Sequence, residues 1–293
     1  MARIKLIIVL LGLLVWSCDK PDDPYLDGQT DLGTAAGVIS YGSSFFASYE
    51  STVLLEDFTG FKCQNCGPAL AAADALQEQW GDRIIVVGYH VLEFFAAPDN
   101  FPQPPDSIFS KDFRTDEGEA LADEYGILSL PQGLVNRKDF GSGARQLAGD
   151  WPGLVSDEMS LNAKGFVEVI TDSVSLADNA ATFAISLRPL APVEEDWNLV
   201  VGIYENNIIE GQKDGNEILF PFSHQHVFRK YVNGRAGQTV ITSDLNFASG
   251  DAIYYKFTTD LDSEWAIENC YLFAFLQNSV TLEVYAVSKA PLS

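Results

Sequence analysis

Two cysteines separated by two residues, Cys63 and Cys66, are the side chains of this sequence best suited to chemistry. The two intervening residues leave the sulfur atoms close enough to form a small disulfide ring. Such a pair could exchange thiols with disulfides, with Cys63 as the attacking thiolate and Cys66 as the resolving thiol. Half of a zinc site has the same spacing. The chain contains no second CxxC and no CxxH, so we predict no metal site.

A strand, a turn and a helix would position this pair. The apolar run at residues 51–58 predicts a buried strand, and residues 69–80 have the apolar spacing of an amphipathic helix. Gly67 and Pro68 mark the first turn of that helix. Residues 83–89 predict a second buried strand. The cysteines would then lie at a helix N-terminus inside a βαβ unit, where the partial positive charge of the helix favours a thiolate.

Three further residues of this region could serve the cysteine pair. Asp57 stands on the first strand, where thioredoxins carry an acidic residue that transfers a proton to the resolving cysteine. Residues 125–131 resemble the thioredoxin segment that ends in a cis-proline. The resemblance implies that Pro131 shapes a groove for an extended substrate. His90 ends the second strand and could either tune Cys63 or have a structural role.

The order of strand, CxxC, helix, strand, helix, proline and strand in residues 51–163 resembles thioredoxin, so we predict a thioredoxin-like α/β domain there. The interval between Cys63 and Pro131 is longer than a minimal thioredoxin needs, and residues 90–115 account for the excess. This loop is rich in proline and aromatic residues. It could be a lid over the cysteines or an ornament on the domain surface.

Residues 164–293 consist of short alternating apolar segments separated by turn residues. This pattern predicts an all-β domain, an immunoglobulin-like or jelly-roll sandwich. His224 and His226 would share one face of a strand and could bind a metal, but two ligands without a third favour ordinary surface or core histidines. Cys270 lies in an apolar segment, which predicts a buried, inert thiol.

The N-terminus has the features of a secretory signal. Two basic residues precede an apolar run at residues 6–16 that is too short to span a membrane. The run stops just before Cys18, and this junction resembles a bacterial lipobox, in which the cysteine receives a lipid. A plain signal peptide with an incidental cysteine is the alternative. We predict a lipoprotein signal peptide over residues 1–18 and a flexible acidic tether and lead-in over residues 19–50.

The composition excludes several classes of protein. With 293 residues, of which 47% are hydrophobic, the chain can bury the cores of about two domains and is not disordered throughout. Its formal net charge of −23 repels phosphate backbones, which argues against nucleic-acid binding. Adsorption of the folded part onto an anionic lipid surface would need clustered Lys or Arg, which the sequence lacks.

Several segments resemble the outer-membrane-protein-28-related lipoproteins of Bacteroidota. The resemblance extends over most of residues 51–287 and rests on residues 55–66, 113–115, 131–137, 226–234 and 268–270. It implies a lipid anchor, a thioredoxin-like domain and a β-sandwich, but it implies little about a substrate.

Two functions follow from these patterns. The first is a lipid-anchored cell-envelope protein that exchanges protein thiols and disulfides through Cys63 and Cys66, without a cofactor. The alternative is a non-enzymatic outer-membrane or surface lipoprotein for binding or adhesion, in which the disulfide is static and the sandwich carries the interaction. In both, the lipid on Cys18 holds the protein on the outer membrane, facing either the periplasm or the outside.

Overall fold

The computed structural model describes residues 32–99, 108–175 and 179–293, and this part of the chain is mostly β. Its helices are α1 (Ser43–Ala47), α2 (Gly67–Trp80), α3 (Glu93–Ala96), α4 (Asp116–Glu124) and α5 (Trp151–Met159). Its strands are β1 (Thr34–Ser40), β2 (Val53–Thr59), β3 (Ile84–His90), β4 (Gln132–Val135), β5 (Arg145–Gln146), β6 (Gly165–Ser175), β7 (Ala180–Pro189), β8 (Trp197–Glu205), β9 (Ile208–Asp214), β10 (Glu217–His224), β11 (Val227–Tyr231), β12 (Gln238–Ile241), β13 (Asp251–Asp260), β14 (Cys270–Asn278) and β15 (Val284–Pro291).

A nine-stranded sheet forms the centre of the molecule, in the order β15-β14-β8-β11-β3-β2-β4-β5 with β12 paired to β8. Strands β2 and β3 are parallel and are joined by α2, as the βαβ prediction required. Every residue of these two strands is buried, which explains their continuous apolar runs. Strand β11 pairs with β3, so strands from both predicted domains belong to one sheet. The sequence did not predict this continuity.

A second sheet of four strands, in the order β1-β13-β7-β6, packs against the β8, β14 and β15 side of the central sheet. Their shared core includes Phe183 and Phe257, whose rings stack at 5.4 Å, and Trp197. The β-rich character predicted for the second half is therefore present. Strands β9 and β10 form a separate two-stranded hairpin.

A buried polar network crosses the central sheet between the two predicted domains. The Arg137 guanidinium donates to both carboxylate oxygens of Glu56, at 2.8 and 2.7 Å, and to Oε1 of Gln277 at 2.9 Å. The Tyr89 hydroxyl donates to Glu56 and lies 2.6 Å from the Tyr231 hydroxyl. Because Gln277 is on β14 and Tyr231 on β11, the network ties the βαβ unit to the second half of the chain.

The N-terminal lead-in contains a strand and a short helix. Residues 19–50 are predicted as an acidic flexible tether and lead-in, and within this range β1 pairs along the edge of β13 from Thr34 to Ser40, and α1 follows. Most side chains of β1 are exposed, so the strand is held by main-chain pairing and leaves no hydrophobic periodicity in the sequence. The predicted signal peptide, Cys18 and the tether up to residue 31 lie outside the described residues.

None of the helices in the described ranges combines the length and the hydrophobicity that a bilayer-spanning helix requires.

Candidate functional site

The Cys63 and Cys66 sulfurs form a disulfide at the start of α2, where the sequence placed the pair. Cys66 is the N-cap residue of the helix, and its carbonyl accepts from the amides of Ala69 and Leu70. Pro68 lies in the first turn of the helix, where a backbone N–H would have no hydrogen-bond partner within the helix, so its absence costs no hydrogen bond. The Cys63 amide donates to the Gly60 carbonyl, which closes the turn after β2.

Both cysteines are buried. Cys63 is 1% exposed and Cys66 is 0% exposed, and both belong to the apolar cluster that includes Phe58 and Leu54 on β2. A disulfide substrate must be able to approach an attacking thiolate. The burial of both sulfurs therefore disfavours thiol–disulfide exchange in the folded protein.

The β9–β10 hairpin holds the cysteine loop by three hydrogen bonds. The Lys213 amide donates to the Phe61 carbonyl at 2.8 Å, and the Gly215 amide donates to the Gln64 carbonyl at 2.8 Å. The side-chain amide of Gln212 donates to the Cys63 carbonyl at 3.4 Å. The tip of the hairpin thus binds the loop on both sides of Cys63.

Sequence reasoning missed this hairpin. Its sequence signal was the Gly215-Asn216 pair between two short strands, because a two-residue Gly-Asn loop is typical of a tight β-hairpin. Gly215 has φ of 57°, a conformation that glycine adopts without strain.

Asp57 lies on β2 and is buried, with no hydrogen-bond partner for either carboxylate oxygen among the described residues. Burial raises its pKa to about 7, and the nearby charge of Asp74 adds to the rise. The side chain lines a small cavity of about 30 Å³, enclosed by α2, the central sheet and the connection from β10 to β11. A space of this size holds about one water molecule.

All three histidines of the chain line this small cavity with Asp57. The His90 and His224 rings lie 5.5 Å apart, and His224 Nε2 is 3.1 Å from the Gly211 carbonyl. Burial lowers the pKa of His224 and of His226 to about 4, and it lowers that of His90 well below its usual range. The three imidazoles are therefore neutral at pH 7.

The prediction that His224 and His226 lie on the same face of one strand is wrong. His224 ends β10, whereas His226 has φ of 58° in the turn before β11, so the two do not alternate along one strand. No group of three His, Cys, Asp or Glu side chains within the described ranges is arranged to hold a metal ion. His90 contacts the rings of Phe61 and Phe113.

Pro131 follows a cis peptide bond after Leu130, as the resemblance to thioredoxin implied. It immediately precedes β4, which pairs antiparallel with β2 so that Gly133 lies opposite Asp57. A Cβ at Gly133 would lie 2.6 Å from the Trp151 ring and 2.7 Å from the Glu56 carbonyl, so only glycine fits between β2 and α5.

A larger cavity of about 580 Å³ opens beside Cys63. Residues from both described ends of the predicted 90–115 loop form part of its wall: Phe94, Phe95, Asp99 and Phe109. The cysteine loop and β9 supply Lys62, Gln64, Asn65 and Lys213, and Ser129 and Leu130 close the side next to Pro131. Residues 100–107 of the loop lie outside the described residues.

Cys270 is a buried free thiol at the start of β14. Its sulfur donates weakly to the Ala266 carbonyl, and burial raises its pKa to about 12, with the nearby Glu205 carboxylate adding to the rise. A thiol with this pKa stays protonated at neutral pH, as expected for an inert cysteine.

The sequence model of the family described as outer membrane protein Omp28 matches residues 118–293, more than half of the chain. The chain belongs to the Omp28 family. This membership places the protein in the outer membrane of the cell envelope, the location that the sequence predicted.

Solved structures are similar to this Omp28 family member at low sequence identity. HBP35 of Porphyromonas gingivalis matches with a TM-score of 0.58 and 16% identity, over 84% of this chain and 76% of that one. A protein from Agrobacterium tumefaciens matches with a TM-score of 0.48 and 14% identity, over 84% and 97% of the two chains. A domain of the outer membrane lipoprotein Omp28 from Porphyromonas gingivalis matches with a TM-score of 0.31 and 19% identity, over 45% and 89%. No protein of curated function matches the sequence.

Proposed function

We propose that this Omp28 family member is a lipid-anchored binding protein of the outer membrane, in which the Cys63–Cys66 disulfide is structural. The observation that carries the proposal is the burial of both cysteines, in a loop whose backbone is hydrogen-bonded to the β9–β10 hairpin. The lipid on Cys18 would hold the folded part at the membrane.

Thiol–disulfide exchange requires a sulfur that a second sulfur can approach in line. Cys63 is 1% exposed and Cys66 is 0% exposed, so a substrate sulfur has little access to either sulfur of the folded protein. The cross-link instead keeps the loop in the shape to which Lys213 and Gly215 bind. Its role is to maintain the contact between the α2 region and the second half of the chain.

The redox behaviour of the purified folded protein tests this proposal. A structural disulfide should have a reduction potential below about −300 mV, and it should resist a glutathione buffer in the native state. After full reduction, Cys63 should react with iodoacetamide no faster than an ordinary thiol with a pKa near 8.5. A potential well above that value together with a Cys63 pKa below 8.5 would overturn the proposal.

A second function, thiol–disulfide exchange by a thioredoxin-like domain over residues 51–163, is favoured by one specific observation. A partnerless, buried Asp57 with a raised pKa lies on the strand that leads into the cysteine pair. In this function the pair is first reduced, and the Cys63 thiolate then attacks one sulfur of a substrate disulfide, so that the substrate S–S bond breaks, a mixed disulfide forms and the other substrate sulfur leaves as a thiolate. The Cys66 thiolate then displaces the substrate thiol and closes the Cys63–Cys66 bond. Asp57 would accept the proton of Cys66, and Pro131 would shape the substrate groove.

The exchange function has its own test. The variant Cys66→Ser lacks the resolving sulfur and should trap mixed disulfides with envelope proteins, whereas Cys63→Ser should trap none. If Cys66→Ser traps no partner in the cell envelope when no reductant is added, exchange is excluded and the structural disulfide remains.

A further inference from the structure

We infer that the 580 Å³ cavity beside Cys63 binds a small organic anion with an aromatic or branched apolar body. The inference rests on the proposed binding function and assigns the site and the class of ligand. A volume of this size lies within the range of small-molecule pockets, which are typically about 300–1,000 Å³.

The apolar wall of the cavity is held in place by backbone contacts. The Lys62 amide donates to the Phe95 carbonyl at 2.9 Å, and Gly60 approaches this carbonyl so closely that a Cβ would lie 2.6 Å from the oxygen. Helix α3 is thus fixed against the cysteine loop. Phe94, on this helix, lines the cavity and is nevertheless 83% exposed, and its ring makes an edge-to-face contact with the Phe95 ring. An exposed aromatic ring on a fixed wall is suited to stack on an apolar ligand.

The charge of the cavity is opposite to that of the molecule. Two lysines, Lys62 and Lys213, line the cavity with one acidic residue, Asp99, in a chain whose net charge is −23. Lys62 pairs with Asp99 at 2.8 Å and lies 5.6 Å from the centre of the Phe109 ring. Lys213 has no ion-pair partner within the part of the chain that the structure describes, although its backbone is fixed by the Phe61 carbonyl. An anion would supply that partner.

The two features lie in one cavity, so they select one kind of molecule. The Phe94 and Phe95 rings favour an apolar body, and the Lys213 ammonium favours a carboxylate attached to it. A neutral apolar compound would contact the aromatic rings but would not pair with Lys213, and a cation would be repelled by Lys213.

Fluorescence titration of the purified folded protein with 2-naphthoate tests the inference, and 2-naphthol serves as the ligand with the same body and no charge. We expect 2-naphthoate to bind about tenfold more tightly than 2-naphthol, which is the effect of one charge-assisted hydrogen bond. Lys213→Gln should remove this difference. Phe94→Ala should reduce the affinity for 2-naphthoate and the affinity for 2-naphthol by about the same factor. The matched controls are Lys256→Gln on β13 and Phe220→Ala on β10, which are exposed and lie outside the cavity.

Equal binding of the two ligands by the unmodified protein would overturn the inference, and so would controls that weaken binding as much as the cavity variants. A third titration uses the acidic peptide Ac-GDFDG-NH2. Tighter binding of this peptide than of 2-naphthoate would overturn the small-molecule assignment in favour of a polypeptide partner.

These titrations are made with the disulfide intact, so they are independent of its redox behaviour. An exchangeable disulfide with unchanged naphthoate binding would refute the structural role of the disulfide alone. An inert disulfide without selective binding would refute the cavity assignment alone.

Discussion

Asp57 and the three histidines have opposite effects on how the stability of the folded state depends on pH. A buried carboxyl with a raised pKa favours the folded state when it is protonated, so its contribution is lost as the pH rises from about 4 to about 7. Buried histidines with lowered pKa values favour the folded state when they are neutral. Their contribution is lost as the pH falls from about 6.5 to about 4. The small polar cavity therefore disfavours the folded state at both ends of this range.

Asp57→Asn should increase the free energy of unfolding at pH 8 and have little effect at pH 4. A pKa of about 7 against an unfolded value of about 4 corresponds to a gain of at most about 4 kcal/mol once the carboxylate is fully ionised. Urea unfolding of both proteins at the two pH values measures this difference. Asp172→Asn, at an exposed position on β6, is the control and should show no such pH dependence. A gain that is the same at both pH values would mean that the Asp57 pKa is ordinary.

The cysteine pair and the cis bond before Pro131 could be predicted because their signals are local. The CxxC spacing, the following Gly67-Pro68 and the segment ending in Pro131 each lie within a few residues. The histidine cluster could not be predicted, since His90 and His224 are far apart in sequence and meet only when β11 pairs with β3. Local patterns contain no information about that pairing.

At the scale of elements, the β9–β10 hairpin holds the loop that carries the disulfide. Its tip turns at Gly215, whose positive φ a branched residue adopts only with strain. The hairpin has no other strand paired to it among the described residues, so its position depends on its contacts with the cysteine loop and the residues around the two cavities.

Gly215→Val should loosen the hairpin and accelerate reduction of the native disulfide by a phosphine several-fold. The strain of a β-branched residue in this conformation costs about 1–2 kcal/mol and acts where the Gly215 amide meets Gln64. Gly141→Val is the matched control, since Gly141 also has a positive φ and open space around it but lies in a different turn. Equal acceleration by both variants would show that global unfolding, and not the hairpin, limits the reaction.

At the scale of the whole molecule, the central sheet joins the two predicted domains. The cluster around Tyr89, Phe228 and Phe273 combines β3 with β11 and β14, and the Glu56–Arg137–Gln277 network crosses the same boundary. The domain boundary at residue 163 was predicted because the sequence changes there from mixed helix and strand patterns to short alternating apolar segments. Such a change reports the type of secondary structure and not which strands pair. The division remains a prediction that unfolding experiments can test.

Arg137→Met should lower the stability of the entire molecule by about 3–5 kcal/mol, because it leaves the Glu56 carboxylate buried without its cation. Trp151 and Trp197 report on the two halves when each is the single tryptophan left in a variant with the others replaced by Phe, and both signals should change in one transition that shifts as a whole. Lys138→Met, which removes a partly exposed pair with Glu158, should have a much smaller effect. Two separate transitions, with that of Trp197 unmoved, would instead support independent domains.

Cys18→Ala should release the protein into the soluble fraction, because the apolar leader alone is too short to span the membrane. Fractionation of cells grown with labelled palmitate measures both location and lipid. Ser17→Ala, at the neighbouring position, should keep the label and the membrane association. A Cys18→Ala protein that still incorporates palmitate would place the lipid elsewhere.

The pairing of β1 has a mechanical consequence. With a lipid on Cys18, a pull between membrane and protein reaches the described residues near Gly33, whose amide and carbonyl are both bound by the Gln238 side chain. Apart from these two hydrogen bonds, β1 is held mainly by its main-chain hydrogen bonds to β13. Its side chains are mostly exposed and contribute little to holding it in place. Under load β1 would peel away before either core opens. Its seven residues would then add about 23 Å of extended chain before the force reaches the two cores.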